Sequence, residues 1–149
     1  MVKAIEWRDG KVVILDQTKL PFEVTYITCT DYLMVAESIR ALRIRGAPAI
    51  GIAAAMGIAL AAQAVQAPSY PQFMKALEPA FQEIGATRPT AVNISWAIRR
   101  MESLLKSNRR RCILELKDTL VREACTILEE DIAVNRAIGK WGAQFIRDG

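Results

Sequence analysis

The sequence predicts an α+β fold, a small three-stranded antiparallel sheet followed by a helical bundle of five or six helices. Three observations predict it. The first thirty residues carry short β-branched runs of period two, interrupted at Asp9-Gly10 and Leu20-Pro21. After Thr30 the apolar period changes to about 3.6 residues. The chain has 149 residues, 52% hydrophobic and 24% charged, which suits one globular domain with an ordinary core rather than a disordered or collagen-like chain.

Taken in order, Lys3 to Arg8 and Val12 to Asp16 read as two strands, and Asp9-Gly10 between them is a strong hairpin signal. Phe22 to Thr28 alternates and follows the Leu20-Pro21 turn, so a third strand completes a meander over residues 1–29. Residues 30–149 form the helical part of the same single domain. Tyr32, Val35, Ile39 and Leu42 share one face of a first helix, with Glu37 and Arg40 away from it, and Thr30 or Asp31 can cap it. The next helix, Pro48 to about Val65, is apolar on nearly all sides, as a central helix packed by neighbours must be. Its Ala53, Ala54, Gly57 and Ala61 let other helices approach closely.

Pro68 and Pro71 break the pattern, and a short amphipathic helix follows through Phe73, Leu77, Phe81 and Ile84 until Gly85 ends it. Thr87 then caps a further helix with Pro89 in its first turn and Ile94, Ala97, Met101 and Leu104 as its inward stripe. Ser107 to Arg111 is a basic loop. From Cys112 the apolar residues Leu116, Leu120, Ala124, Ile127, Val134, Ile138, Trp141 and Phe145 keep steps of three, four or seven. One long helix or two nearly collinear ones fit that run, with Gly139 and Gly142 as kinks or close-contact points.

Composition excludes several function classes. With no histidine in the chain, the commonest general base and metal ligand are missing, so a triad or a His-based zinc site is ruled out. Cys29, Cys112 and Cys125 are odd in number and widely spaced, which argues against disulfides and Cys-only metal sites and for buried thiols in a reducing cytoplasm. No metal and no cofactor is called for. Lys3 and Glu6 interrupt the start of the chain, which therefore does not read as a signal peptide. The uncharged stretch from Gly46 to Met74 has an apolar core of about 14 residues, short of a spanning helix. No membrane is expected as a partner, and the formal charge of +4 suits an anionic small molecule as well as nucleic acid.

Two segments carry the pattern of an anion site. In IRGAPAIG, residues 44–51, Arg45 supplies a guanidinium, Gly46 lets the backbone approach a ligand, and Pro48 opens a helix whose first N–H groups face outward. TRPT, residues 87–90, repeats the logic with Arg88 beside a capping hydroxyl and a Pro-initiated helix. Either segment alone can equally be an ordinary helix start. Arg109 to Arg111, with Arg99, Arg100 and Lys106, form the densest basic stretch. Without aromatic interleaving it reads as a solvated helix end rather than a nucleic-acid contact. Glu129, Glu130 and Asp131 point in different directions from a helix and cannot close on one metal ion. Trp7, Trp96 and Trp141 read as core or interface residues.

Together, IRGAPAIG, ATRPTAVNISWAIRRM over residues 86–101 and EEDIAVNRAIGKWGAQFI over residues 129–146 resemble the N-terminal part of the methylthioribose-1-phosphate isomerase family. Its wider group includes ribose-1,5-bisphosphate isomerases and the regulatory subunits of the translation initiation factor 2B exchange complex. The resemblance implies aldose-ketose isomerisation of 5-methylthioribose 1-phosphate to 5-methylthioribulose 1-phosphate in methionine salvage. It places Arg45, Gly46 and Ala47 on the family's substrate-binding RGA segment and Arg88 on its second substrate-binding arginine. It implies a cytoplasmic protein whose partners are a sugar phosphate and either a second copy, as a homodimer, or a separate C-terminal domain. The family's catalytic cysteine lies in a Cys-Asn-Ala-Gly motif just beyond the segment matching Asp148-Gly149, and its catalytic aspartate in a Rossmann-like domain further on. Cys29, Cys112, Cys125 and Asp148 match neither, so no catalytic residue is assigned. The expectation is an N-terminal domain alone, from a shortened chain, a proteolysed protein or a split gene, silent in catalysis and with an apolar face exposed where the other domain docks.

Overall fold

Asp9 and Gly10 both lie in the left-handed region, at φ 50° and 72°, the pairing that a tight hairpin with correctly twisted strands demands. In this computed structural model, which describes residues 3–146, they join β1 (Ile5–Arg8) to β2 (Lys11–Leu15). β3 (Tyr26–Cys29) pairs with β2 on its other side, and both pairs are antiparallel. The meander is therefore as expected in order, with shorter strands. Phe22 and Val24 are exposed; Asp16 N–H to Thr25 O continues the β2–β3 register by one pair, and before it the chain turns back through Phe22 N–H and Glu23 N–H, both to Lys19 O. The two bonds to Lys19 O take the backbone groups that an extended strand from Phe22 needs for its ladder.

Five helices follow: α1 (Tyr32–Arg40), α2 (Ala47–Ala64), α3 (Tyr70–Ala86), α4 (Val92–Ser107) and α5 (Ile113–Gly142), with a closing 3₁₀ turn over Ala143–Phe145. Every residue of α2 from Ile50 to Ala62 is buried, because α1, α3, α4, α5 and the sheet surround it. At 18 residues this helix is long and apolar enough to cross a membrane. Its length therefore does not distinguish it from a spanning helix, contrary to the expectation of an apolar core too short to span, and burial within its own bundle accounts for the apolar run. Gly57 permits the closest packing: a Cβ there stands 2.9 Å from Ile84 Cδ1 and 3.2 Å from Val35 Cγ1.

Several expectations are corrected. Asp31, not Thr30, caps α1, its carboxylate accepting Met34 N–H at 2.9 Å. Leu42 does not join the inward face but sits past the helix end at φ 58°. Arg43 N–H reaches Ser38 O and Leu42 N–H reaches Ile39 O, the paired bonds of a Schellman closure that needs a left-handed residue there. Pro71 opens α3 instead of breaking it, since the first turn needs no N–H from it. Gly85 lies inside α3, where Ile98 Cδ1, 3.3 Å from an added Cβ, favours a small residue. On α4 the buried position is Leu105, with Leu104 half-buried; four-residue steps from Ala97 through Met101 keep one face inward.

α5 is one helix. Leu116, Leu120, Ala124 and Ile127 are buried, whereas Val134, Ile138, Trp141 and Phe145 are exposed, Trp141 at 65%. Trp141 is thus not a core residue, and nothing among the described residues lies within 4 Å of a Cβ added at Gly139 or Gly142. Of the thiols only Cys29 is fully buried; Cys125 is half-buried and Cys112 is exposed at the start of α5. Burial pushes the Cys29 thiol above its ordinary value. The chain limits at Met1 and Gly149, and Asp148, lie outside the described residues.

Candidate functional site

The segment holding Arg45 is short and tightly tethered. Ile44 is fully buried, Arg45, Gly46, Ala47 and Pro48 are exposed, and Gly46, at φ 94°, is the N-cap of α2. That dihedral is one L-residues with a side chain rarely adopt, so glycine is required by the turn itself. Ile50 N–H is the first to enter the helix, donating to Gly46 O at 3.0 Å. Ahead of it the N–H groups of Gly46, Ala47 and Ala49 precede the helical ladder, and Pro48 has none to offer.

Arg88 is placed differently from the expectation. Thr87 ends α3 rather than starting α4, its hydroxyl donating to Ile84 O at 2.6 Å. Pro89 lies in a turn closed by Ala91 N–H to Arg88 O at 2.9 Å, where proline at the second position favours turn over helix. The N-cap of α4 is Ala91. Arg88 and Thr90 are exposed in this turn, and Val92 and Asn93 carry the leading N–H groups of the helix, since Ile94 N–H already reaches Ala91 O.

The two helix starts meet. A Cβ built on Gly51 lies 3.1 Å from Asn93 O and 3.2 Å from Asn93 Cβ. From this contact the start of α2 at Gly46 is about 7.5 Å of helix rise away, and the start of α4 at Ala91 about 3 Å. The structure therefore brings the RGA and TRPT segments to one end of the bundle. Neither α2 nor α4 has a side-chain cap or an acidic residue in its first turn. α1 is closed by Asp31, and Glu115 accepts Cys112 N–H at the start of α5. α3 also lacks such a cap, but no arginine adjoins it. Among the described residues, neither Arg45 nor Arg88 has a carboxylate within 4.0 Å. Two uncompensated positive helix ends and two free guanidinium groups make an environment that favours an anion.

The sequence reading missed a group next to this site. Asp16 is 2% exposed, and both its oxygens are engaged: Oδ1 accepts from Thr18 N–H at 3.1 Å and Thr18 Oγ1 at 2.6 Å, and Oδ2 from Arg43 Nη1 at 3.0 Å. Arg43 also grips Glu37 through Nε at 3.2 Å and Nη2 at 3.2 Å. The Thr18 hydroxyl, ahead of Arg43, holds the Asp16 carboxyl below its ordinary value of 3.8. Its only signals in sequence were an acid ending an apolar strand and an arginine two residues before the RGA segment.

The lowered carboxyl values give a pH prediction. Glu6, Asp16, Glu23 and Glu130 are all held below their ordinary values, by Lys3, Thr18, Thr25 and Arg100 first, respectively. A lowered folded value stabilises the fold above the unfolded value and is lost as pH falls through the folded one. Urea unfolding should show constant stability near neutrality and a decline below about pH 4.5. Asp16→Asn should be less stable at pH 7 and have a shallower acid decline; an unchanged slope would contradict the assignment.

Other sequence candidates separate from the site. Arg100 is engaged by Glu123 and Glu130 and lies 5.3 Å from the Trp96 ring centroid, so it is not free for a polyanion. Glu130 is correspondingly occupied, and Asp131 accepts from Asn135. Lys106 and Arg109 to Arg111 line an open hollow after α4.

The initiation factor 2 subunit family matches residues 43–149. The methylthioribose-1-phosphate isomerase of Geotalea daltonii is 50% identical over 147 residues, 99% of this chain and 42% of the relative. That of Geobacter sulfurreducens is 48% identical over the same shares. Among solved structures, the 5-methylthioribose 1-phosphate isomerase from Pyrococcus horikoshii superposes with a TM-score of 0.95 at 34% identity, covering 100% of this chain and 42% of that one. The delta subunit of translation initiation factor eIF-2B from A. fulgidus gives 0.90 at 36% identity, covering 100% of this chain and 43% of that one. The chain thus spans about two fifths of the length of these relatives. A family match that begins at Arg43 and takes in both arginine-bearing helix starts agrees with the fold, and the chain belongs to the initiation factor 2 subunit family.

Proposed function

We propose that these residues form the phosphate-gripping part of a sugar-phosphate isomerase acting on 5-methylthioribose 1-phosphate in methionine salvage. The observation that carries the reading is the contact of Gly51 with Asn93, which sets two uncapped helix starts, each beside a free arginine, at one end of the bundle. A phosphate monoester has three non-bridging oxygens, enough to accept from Arg45 and Arg88 together with N–H groups of Gly46, Ala47, Val92 and Asn93. The names of the relatives support the choice of sugar. A cytoplasmic homodimer belongs to the same proposal.

The grip is not the chemistry. Moving a proton between adjacent sugar carbons needs an acid, a base or a polarising group beside them, and this reading gives that role to no residue of the 149. The chain is therefore expected to bind 5-methylthioribose 1-phosphate and not to isomerise it. Turnover by the purified chain would overturn that division of labour.

The likeness to the eIF-2B delta subunit supports a second reading, a regulatory module that senses a nucleotide or sugar phosphate. Calorimetry with 5-methylthioribose 1-phosphate, ribose 1,5-bisphosphate and a nucleotide separates the readings. The isomerase reading requires the first to bind most tightly; preference for the nucleotide supports the regulatory one.

A further inference from the structure

We infer that Arg43 is a positioning residue, holding the Arg45–Gly46–Ala47 turn in its anion-binding shape through a clamp on Asp16 and Glu37. The inference rests on the phosphate-grip reading above and deepens it. Residue 43 is held at four points. Its N–H donates to Ser38 O at 2.9 Å, and its carbonyl accepts from Gln17 N–H at 2.8 Å. Its guanidinium meets Asp16 on one side and Glu37 on the other. These partners come from the end of β2, the turn beyond it, and α1, so a single side chain ties sheet and helix to the chain entering α2.

The anchorage continues on both sides. Leu42, before the clamp, is held in a left-handed conformation that a non-glycine residue adopts at a cost, and such positions persist where the surroundings over-determine them. Ile44, after it, is fully buried and donates its N–H to Ser38 O at 3.2 Å. Ser38 is itself buried, and its hydroxyl donates to Met34 O. Arg45 is thus the first exposed residue after an immobile pair, and the freedom left to the turn is small. A ligand then meets a turn that is already ordered, which raises affinity by removing an ordering cost at binding.

Arginine is required because only a planar fork can meet two carboxylates on different edges; lysine keeps the charge but not the geometry. The test is titration of the full chain with inorganic phosphate, followed by amide NMR. In the unsubstituted protein, Gly46 and Ala47 amides shift and saturate. Arg43→Lys should weaken that affinity about tenfold, while before phosphate is added the amides of α4 and α5 keep the positions they have in the unsubstituted protein. Glu37→Gln, on an exposed residue, provides a gentler variant should Arg43→Lys not fold, and should weaken affinity about threefold. Affinity within twofold of the unsubstituted protein in a folded Arg43→Lys chain, with phosphate shifts retained, shows that Arg43 serves stability only. Failure of the unsubstituted protein to shift at Gly46 and Ala47 overturns the grip itself and the positioning role with it.

Discussion

Replacing Arg45 with alanine should lower the affinity for 5-methylthioribose 1-phosphate roughly 10–100-fold and leave the fold intact. A hydrogen bond between charged partners contributes about 1.5–3 kcal/mol, and each 1.4 kcal/mol is a factor of ten in binding. Arg45 is exposed and has no carboxylate partner among the described residues, so its loss leaves no buried charge behind. Stability should change by no more than about 0.5 kcal/mol. Calorimetry beside thermal unfolding checks both halves. Arg109→Ala, an exposed cation in the basic loop after α4, is the control and should bind within twofold of the unsubstituted chain. Equal losses from the two variants would mean that general positive charge, not the α2 start, attracts the ligand.

The second large effect is expected at Gly51. A Cβ there stands 3.1 Å from a backbone oxygen, Asn93 O, which unlike a side-chain tip cannot rotate away. Gly51→Ala gains about 1 kcal/mol of helix propensity, so its cost is partly offset. Gly51→Val adds further atoms against the same backbone, and overpacking of this kind costs about 1–3 kcal/mol. The start of α4 must then move from α2, taking Val92, Asn93 and Arg88 with it. Gly51→Val should therefore lose both thermal stability and ligand affinity, although no part of Gly51 is proposed to touch ligand. Full affinity in a destabilised Gly51→Val chain would show that the two helix starts need not be in register to bind.

The contrast between Arg45 and Arg88 shows how much of this was legible in sequence. Around Arg45 the signals were local: a glycine the turn requires at φ 94°, a proline in the first turn, and an apolar run too uniform for a surface helix. Around Arg88 the same residue types mean something else. Proline suits the second position of a turn and the first turn of a helix alike, and only the carbonyl of Arg88 meeting Ala91 N–H decides between them. The helix start therefore lies four residues later than Thr87 suggests.

The hairpin was similarly readable, because Asp9-Gly10 fixes its own geometry, whereas the start of the third strand was not, because Phe22 and Glu23 give their N–H groups to Lys19 O in a turn that no alternation announces. The Asp16–Arg43 pair joins residues 27 positions apart, and no short-range pattern announces it. The meeting of Gly51 and Asn93, on which the site depends, is likewise a tertiary fact. Small residues along α2 indicated that something approaches closely, but not which helix, nor that the approach brings two helix starts to one end of the bundle. The apolar stripe of α5 was legible as periodicity, but period alone does not say which half is buried: Ile127 is and Trp141 is not.

The central claim is that one anion is held by both helix starts together. Amide NMR of the full chain during titration with 5-methylthioribose 1-phosphate tests it most directly. Gly46 and Ala47 on one side, and Val92 and Asn93 on the other, should shift along a single saturation curve with one Kd, while amides at the basic loop, Asn108 to Arg111, stay in place. Shifts confined to one helix start, or two curves with different Kd values, would contradict it.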